Sequence, residues 1–338
     1  MSKIDDVARM AKVSKGTVSN VFSQKRPISE AVRKRVLKAA QELKYTPNQV
    51  ARSLVTKKTM TISLNIPYTK NLSLSTFHTN LMNGVITEAA LHNYRILIDT
   101  LSQEQLELPF ISRDAVDGVI ILDPRNKDSR IHHLTHFGIP FVVIGQPPDT
   151  FIEDVSYVDN NNAEIVKQIT TFLIKQGHKR IIYLNAPLAM TVSQVRTEGF
   201  YQAYHSAQIS PDYSRVIYKA TLKEEPREFG YKSIMEVFNE KKSTVHSHYC
   251  RYRSSRARCV AGVKELNLHV PENVSIIALS DDLILAHEVE PALSTVDMQA
   301  TILGYEAVRM LFAQLGVGSY EVISSKMIEA KFNIRDSC

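Results

Sequence analysis

Lys15, Gly16, Thr17, Ser19 and Asn20 crowd short hydrogen-bond donors and acceptors into six consecutive positions. Carried on one helix, such residues suit the base edges and phosphates of a DNA major groove. Lys25, Arg26, Arg33, Lys34 and Lys38 follow closely and can pair with phosphates, which fix register without reading sequence. His132 and His136 have the i, i+4 spacing of a helical metal pair, but no acidic base lies between them. The run from Arg130 to His136 is therefore read as the exposed face of a helix, and no metal is expected. Residues 244–260, TVHSHYCRYRSSRARCV, crowd four Arg, two His and two Cys together, which invites a zinc knuckle or an RNA patch. Burying so many cations without partners inside a folded core would be costly.

The elements that must carry these groups follow from periodicity. Ile4, Val7, Ala8 and Ala11 repeat at helical spacing, as do Val18, Val21 and Phe22, and then Val32, Val36, Ala39, Ala40 and Leu43. Ser14 precedes the second helix as its N-cap, and Ser29 with Glu30 opens the third. Only Lys12, Val13 and Ser14 separate the first two, so the chain turns sharply, with Ala8 small enough for close approach. That is a helix-turn-helix. From Thr61 onward short apolar strands alternate with helices, which predicts a doubly wound parallel sheet. Strands are predicted at Thr61 to Ile66, Tyr94 to Ile98, Gly118 to Leu122, Pro140 to Ile144, Arg180 to Leu184, Val216 to Tyr218 and Val274 to Leu279. Helices such as Asn80 to His92 and Ala163 to Gln176 lie between them.

Charge separates the same two regions. Residues 1–60 hold 14 Lys+Arg against 4 Asp+Glu, whereas the rest of the 338 residues hold 27 against 31. A compact basic segment on an acidic body is the electrostatic mark of a protein that meets a polyanion. With 44% hydrophobic residues the chain can bury a sizeable core. No apolar run is long enough to span a bilayer, the start MSKIDDVARM lacks a signal peptide's apolar stretch, and Cys250, Cys259 and Cys338 make no disulfide framework. A cytoplasmic location without membrane contact is expected. No phosphate-cradling glycine motif and no set of nucleophile, base and orienter appears, so no enzyme activity and no cofactor are expected.

The run from Ile4 to Thr59, IDDVARMAKVSKGTVSNVFSQKRPISEAVRKRVLKAAQELKYTPNQVARSLVTKKT, resembles the headpiece of the LacI/GalR family of regulators. In the core, DAVDGVIIL, LIKQGHKRIIYL, Arg196 with Gly199-Phe200, and VPENVSIIALSDD followed by PALSTV resemble the same family. The resemblance implies an all-α headpiece at 1–46, a hinge helix and linker at 47–59, and a two-lobed α/β core at 60–338 like a periplasmic binding protein. Its lobes would be crossed by three strands and would close over a ligand at the carboxyl ends of the sheets. It also implies that Lys15, Gly16 and Asn20 face bases, that Ser14, Thr17, Ser19, Ser29 and Arg33 hold the DNA backbone, and that Leu54 of the hinge helix wedges into a base step. Lys12 stands where the family usually has Gly, at a turn favouring positive φ.

For the core, the resemblance implies a small-molecule effector, most often a sugar. Arg196 would bind its hydroxyls or acid oxygens, Asp281 would accept from it, Phe77 would cover a ring face, and Asn161 sits at the strand-to-helix turn of VDNNN. A homodimer on pseudo-palindromic double-stranded operator DNA is expected, because the chain ends soon after Phe332-Asn333-Ile334 without the Leu heptads of a tetramerising tail. The reading is of a repressor controlled by a sugar. A cytoplasmic solute-binding protein without regulatory output and a nucleobase-responsive regulator are the alternatives. At residues 244–260 a local shift of reading frame with compensating return before Ala261 would restore the family's strand, polar pair and helix, and is the expectation there.

Overall fold

A computed structural model describes residues 2–23, 26–46, 53, 56, 58–66, 74–99, 115–212, 214–221, 226–239, 247–250, 262–279 and 290–338. The chain forms two compact units, Met1–Thr59 and Met60–Cys338.

In the first unit α1 (Ile4–Ala11), α2 (Lys15–Ser23) and α3 (Glu30–Glu42) close around Val7, Ala8, Ala11, Val18, Val21, Val36, Ala39 and Ala40. These are the apolar positions the 3.6-residue period selects. Lys12 ends α1 in the left-handed region at φ 52, ψ 50, and the Val13 N–H reaches back to Ala8 O at 3.0 Å. Ser14 caps α2, its Oγ accepting from Thr17 N at 3.1 Å. Ser29 stands at the cap of α3 without a side-chain capping bond.

Along the chain the second unit runs β1 (Thr61–Asn65), α4 (Thr76–Leu91), β2 (Arg95–Asp99), β3 (Gly118–Leu122), α5 (Ser129–Phe137), β4 (Phe141–Ile144), β5 (Tyr157–Asn160), α6 (Asn162–Lys175), β6 (Ile182–Asn185), α7 (Thr191–Ala207), β7 (Arg215–Tyr218), α8 (Pro226–Asn239), β8 (Ser247–Cys250), β9 (Ser275–Ala278), β10 (Ser294–Asp297), α9 (Ala300–Leu315), β11 (Ser325–Ile328) and β12 (Lys331–Asn333). Two sheets result. The first has the order β11-β5-β4-β3-β1-β2 with every pair parallel. The second has the order β12-β10-β9-β8-β6-β7 and is parallel except at β12, which runs antiparallel to β10.

The chain passes between sheets after β5, before α9 and between β11 and β12, so three segments join the lobes, as the family resemblance implied. Central strands such as β3 and β6 are buried at every position, as parallel strands covered on both faces must be. In the first lobe α4 and α9 cross so closely that a Cβ on Gly84 would lie 2.1 Å from Thr301 O. Glu88 on α4 is 2% exposed and accepts from Arg309 Nε and Nη2 at 2.9 and 3.0 Å and from the Tyr320 hydroxyl at 2.6 Å. Burial acts to raise its carboxyl, but the bonds from Arg309 and Tyr320 outweigh it and hold the group below its ordinary value.

Backbone pairing places Ser247–Cys250 as a central strand between β6 and β9, in the position where an apolar strand was expected. Residues 244–246 and 251–260, the rest of the anomalous stretch, lie outside the described residues.

Candidate nucleic-acid interface and effector cleft

On the first unit, Lys15, Gly16 and Ser19 are exposed along α2, with Thr17 and Asn20 half-buried beside them, and Ser29 and Arg33 are exposed at the start of α3. The Ser14 hydroxyl is shared between the Thr17 N–H and the Thr17 hydroxyl, the latter at 2.9 Å. This fixes the first turn of α2 and leaves its side chains facing solvent. Lys15 Nζ rests on Asp5 Oδ1 at 2.5 Å with both groups largely exposed, a pair that contributes little in water and yields readily to a phosphate. A Cβ on Gly16 would meet only Ser14 Oγ, at 3.7 Å, so the α2 surface there is open to close approach. Leu54 lies outside the described residues, as does Lys25.

On the second unit, the carboxyl ends of the strands carry polar side chains. Arg196, in the second turn of α7, is 6% exposed. Its Nε donates to Asn162 Oδ1 at 2.5 Å, while Nη1 is buried with no hydrogen-bond partner among the described residues. Asn162 Nδ2 donates in turn to Asp159 Oδ1 at 2.9 Å and to Asn160 O at 3.1 Å. Burial pushes the Asp159 carboxyl up to about 7, partly offset by the N–H groups of Asn160, Gln146 and Asn162 that point at it. Asn160 Nδ2 bonds both Met298 O, at 3.1 Å, and Ile328 O, at 2.8 Å, so one carboxamide fastens all three crossing segments together.

Phe77 packs against the apolar cores of both lobes. Beside it His78 Nε2 lies 3.2 Å from Asp123 Oδ2, at the end of β3. Arg130, wholly buried, braces the same end of the sheet, with Nε and Nη2 on Asp128 at 2.9 and 2.7 Å and Nη1 on Asn65 Oδ1 at 2.7 Å. Asn161 stands exposed as the cap of α6, its Oδ1 accepting from Glu164 N at 3.1 Å; the contact with Arg196 belongs to its neighbour Asn162. Asp281 lies outside the described residues. His132 and His136 are exposed on α5, as the sequence reading expected, with His132 edge-on to Phe151 and His133 and His136 against Phe137, whereas Arg130 of the same run is buried.

Both units have counterparts among known proteins. The model for bacterial regulatory proteins of the lacI family matches residues 3–48, and that for a periplasmic binding protein-like domain matches residues 170–338, half of the chain. The regulator MalR of Streptococcus pneumoniae is 32% identical over 70% of this chain and 71% of its own length. The chain belongs to the lacI family.

It is accordingly a DNA-binding regulator of transcription, and its family is one of regulators, not enzymes. The regulator CelR of Thermobifida fusca is 28% identical across 99% of this chain and 97% of that one. A solved complex of CelR with cellobiose superposes with a TM-score of 0.74 at 25% identity, covering 100% of each chain. The Lac repressor dimer bound to operator and the anti-inducer ONPF shares the fold at 20% identity, with a TM-score of 0.82 over 99% of this chain and 98% of that one. No helix among the described residues is long and apolar enough to cross a membrane. Residues the sequence did not single out include Asp159, Asn160 and Asn162, which are joined by hydrogen bonds to Arg196 and to one another, and the His78–Asp123 pair of the first lobe. The VDNNN run signalled part of this set, but its spelling alone does not tell which Asn turns inward.

Proposed function

We propose that this lacI-family regulator is a homodimeric repressor whose grip on a pseudo-palindromic operator is set by a sugar held between the lobes of its core. The observation that carries this reading is Arg196, a buried guanidinium on the second lobe whose Nη1 makes no hydrogen bond among the described residues. A buried donor left without a partner is costly, and a hydroxyl or acid oxygen from a ligand removes that cost. The CelR complex with cellobiose supports a sugar as the ligand. Relatives named as repressors, among them PurR of Pasteurella multocida at 27% identity over 95% of this chain, support the direction of control.

Lys15, Gly16 and Asn20 read bases from α2, while Ser14, Thr17, Ser19, Ser29 and Arg33 hold phosphates. Leu54 of the hinge segment wedges the central step. Phe77 covers an apolar face of the sugar, and Asp281 and Asn161 complete the polar contacts. Dimerisation is supported by β2, the edge strand of the first sheet among the described residues, where Leu97 and Ile98 are 41% and 44% exposed, and by Ile86 and Leu91, exposed on the helix packed beside it. A self-complementary apolar edge suits a two-fold contact. The protein acts inside the cell, where its DNA is. Because the ligand prefers one arrangement of the lobes, it also prefers one arrangement of the hinge, and by linkage changes DNA affinity by the same coupling energy.

Selection of duplexes from a random pool by the full-length chain tests this reading. The expected product is an inverted repeat with half-sites about one helical turn apart. Enrichment of a single unrepeated half-site, or of nothing, would refute it.

A further inference from the structure

The polar contacts around Arg196 form a closed circuit. From Arg196 Nε the path runs to Asn162 Oδ1, from Asn162 Nδ2 to Asp159 Oδ1 at 2.9 Å, and from Asp159 Oδ2 to the Gln146 N–H at 3.0 Å. Gln146 O then accepts from Thr191 Oγ1 at 2.7 Å, and Thr191 is the first residue of α7, the helix that carries Arg196. The circuit leaves the second lobe, enters the first through a crossing segment and returns to its starting helix. Arg196, Asn162, Asp159 and Thr191 are all buried.

A guanidinium holds its five N–H donors in one plane, so fixing Nε on a rigid acceptor fixes where the other donors point. Asn162 is such an acceptor, because its Nδ2 is already engaged by Asp159 and by Asn160 O. We propose that Asn162 is the positioning residue of the effector site: its carboxamide holds Arg196 by Nε so that Nη1 faces the effector's oxygen, and registers that guanidinium on the first lobe. This rests on the reading of Arg196 as an effector contact. It further implies that the orientation exists before the effector arrives, which lowers the ordering cost of binding.

The test compares Asn162→Ala, Asn162→Asp and Arg196→Ala in the full-length chain, with cellobiose and maltose titrated calorimetrically. Asn162→Ala removes the acceptor, and the affinity of the sugar that binds is expected to fall at least about tenfold. Asn162→Asp keeps an acceptor for Arg196 but loses the Nδ2 bonds that hold it and sets a second carboxylate beside Asp159, so its affinity is expected to lie between those of Asn162→Ala and the native chain. If Asn162 merely braced the hinge, the order would reverse, since two adjoining carboxylates repel. That reversed order, or native affinity in Asn162→Ala, overturns the proposal. Native affinity in Arg196→Ala removes instead the effector role of Arg196. Should neither sugar bind, the hydrogen-exchange rate of the Arg196 Nε–H in nitrogen-15 spectra decides, with the signal assigned by its loss in Arg196→Lys. Slow exchange in the native chain and in Asn162→Asp with fast exchange in Asn162→Ala supports positioning, and equal protection in all three overturns it.

Discussion

Gly199→Ala is a small change that the packing of α6 on α7 should not absorb. A Cβ at Gly199 would lie 2.1 Å from Ala163 O, 2.8 Å from its carbonyl carbon and 2.9 Å from its Cα. All are backbone atoms, so no side chain can turn aside. The start of α6 must retreat until the Cβ–oxygen distance reaches at least 3.0 Å. Ala163 is bonded to Asn162, so the same retreat carries Oδ1, now 2.5 Å from Arg196 Nε, beyond about 3.2 Å, the upper end of a good N–H···O bond. Overpacking of this kind costs about 1–3 kcal/mol, and weakening a bond to a charged group costs about 1 kcal/mol more. Alanine's better helix propensity returns about 1 kcal/mol. A net loss of about 2 kcal/mol is expected in urea unfolding, together with weaker effector binding. A Gly199→Ala protein as stable as the native chain, with unchanged effector affinity, would refute the packing argument.

Three further outcomes follow from single groups. Asp159 titrates near 7 when folded and near its ordinary value of 3.8 when unfolded, so between those values the folded state holds the extra proton and stability falls as pH rises. From pH 5 to pH 8 the native chain should lose about 3 kcal/mol relative to Asp159→Asn, and parallel pH profiles of the two unfolding curves would contradict this. Lys12→Gly places a residue without a Cβ at φ 52 and should stabilise the headpiece by up to about 1 kcal/mol, read as a higher melting point by circular dichroism. Asp5→Asn frees Lys15 from its 2.5 Å partner and should raise DNA affinity a few-fold at low salt, an advantage that vanishes near about 1 M salt.

Local chemistry made much of the headpiece legible: Ser14 before an apolar repeat marks a helix start without any tertiary information, whereas the left-handed turn at Lys12 was placed by resemblance, where the family usually has Gly. The strands β1, β3, β4, β6 and β9 were legible as apolar runs because both faces of an inner parallel strand are buried, and β2 and β7 as apolar runs although, at the sheet edges, they are only partly buried. The strands β5 and β10 were not, since Tyr157–Asn160 and Ser294–Asp297 carry polar residues that break the run. In β5 those side chains are satisfied by distant partners, as Asn160 is by Met298 O and Ile328 O. No periodicity reveals such bonds. The same limit separates Asn161 from Asn162. Arg196 was placed by resemblance, but the circuit that orients it depends on β4, β5 and the first turns of α6 and α7 meeting in space. Ser247–Cys250 pairs as a strand because β6 and β9 offer it two parallel edges, not because its residues favour one.

Fluorescence anisotropy of the selected duplex and of a shuffled duplex, titrated with the full-length chain at about 150 mM salt, tests most directly that DNA grip and ligand occupancy are coupled. Affinity for the selected duplex at least about a thousandfold above the shuffled one, shifted several-fold by cellobiose or maltose, is the expected result. Equal affinity for both duplexes, or sequence preference that no sugar in a broad panel alters, would contradict it.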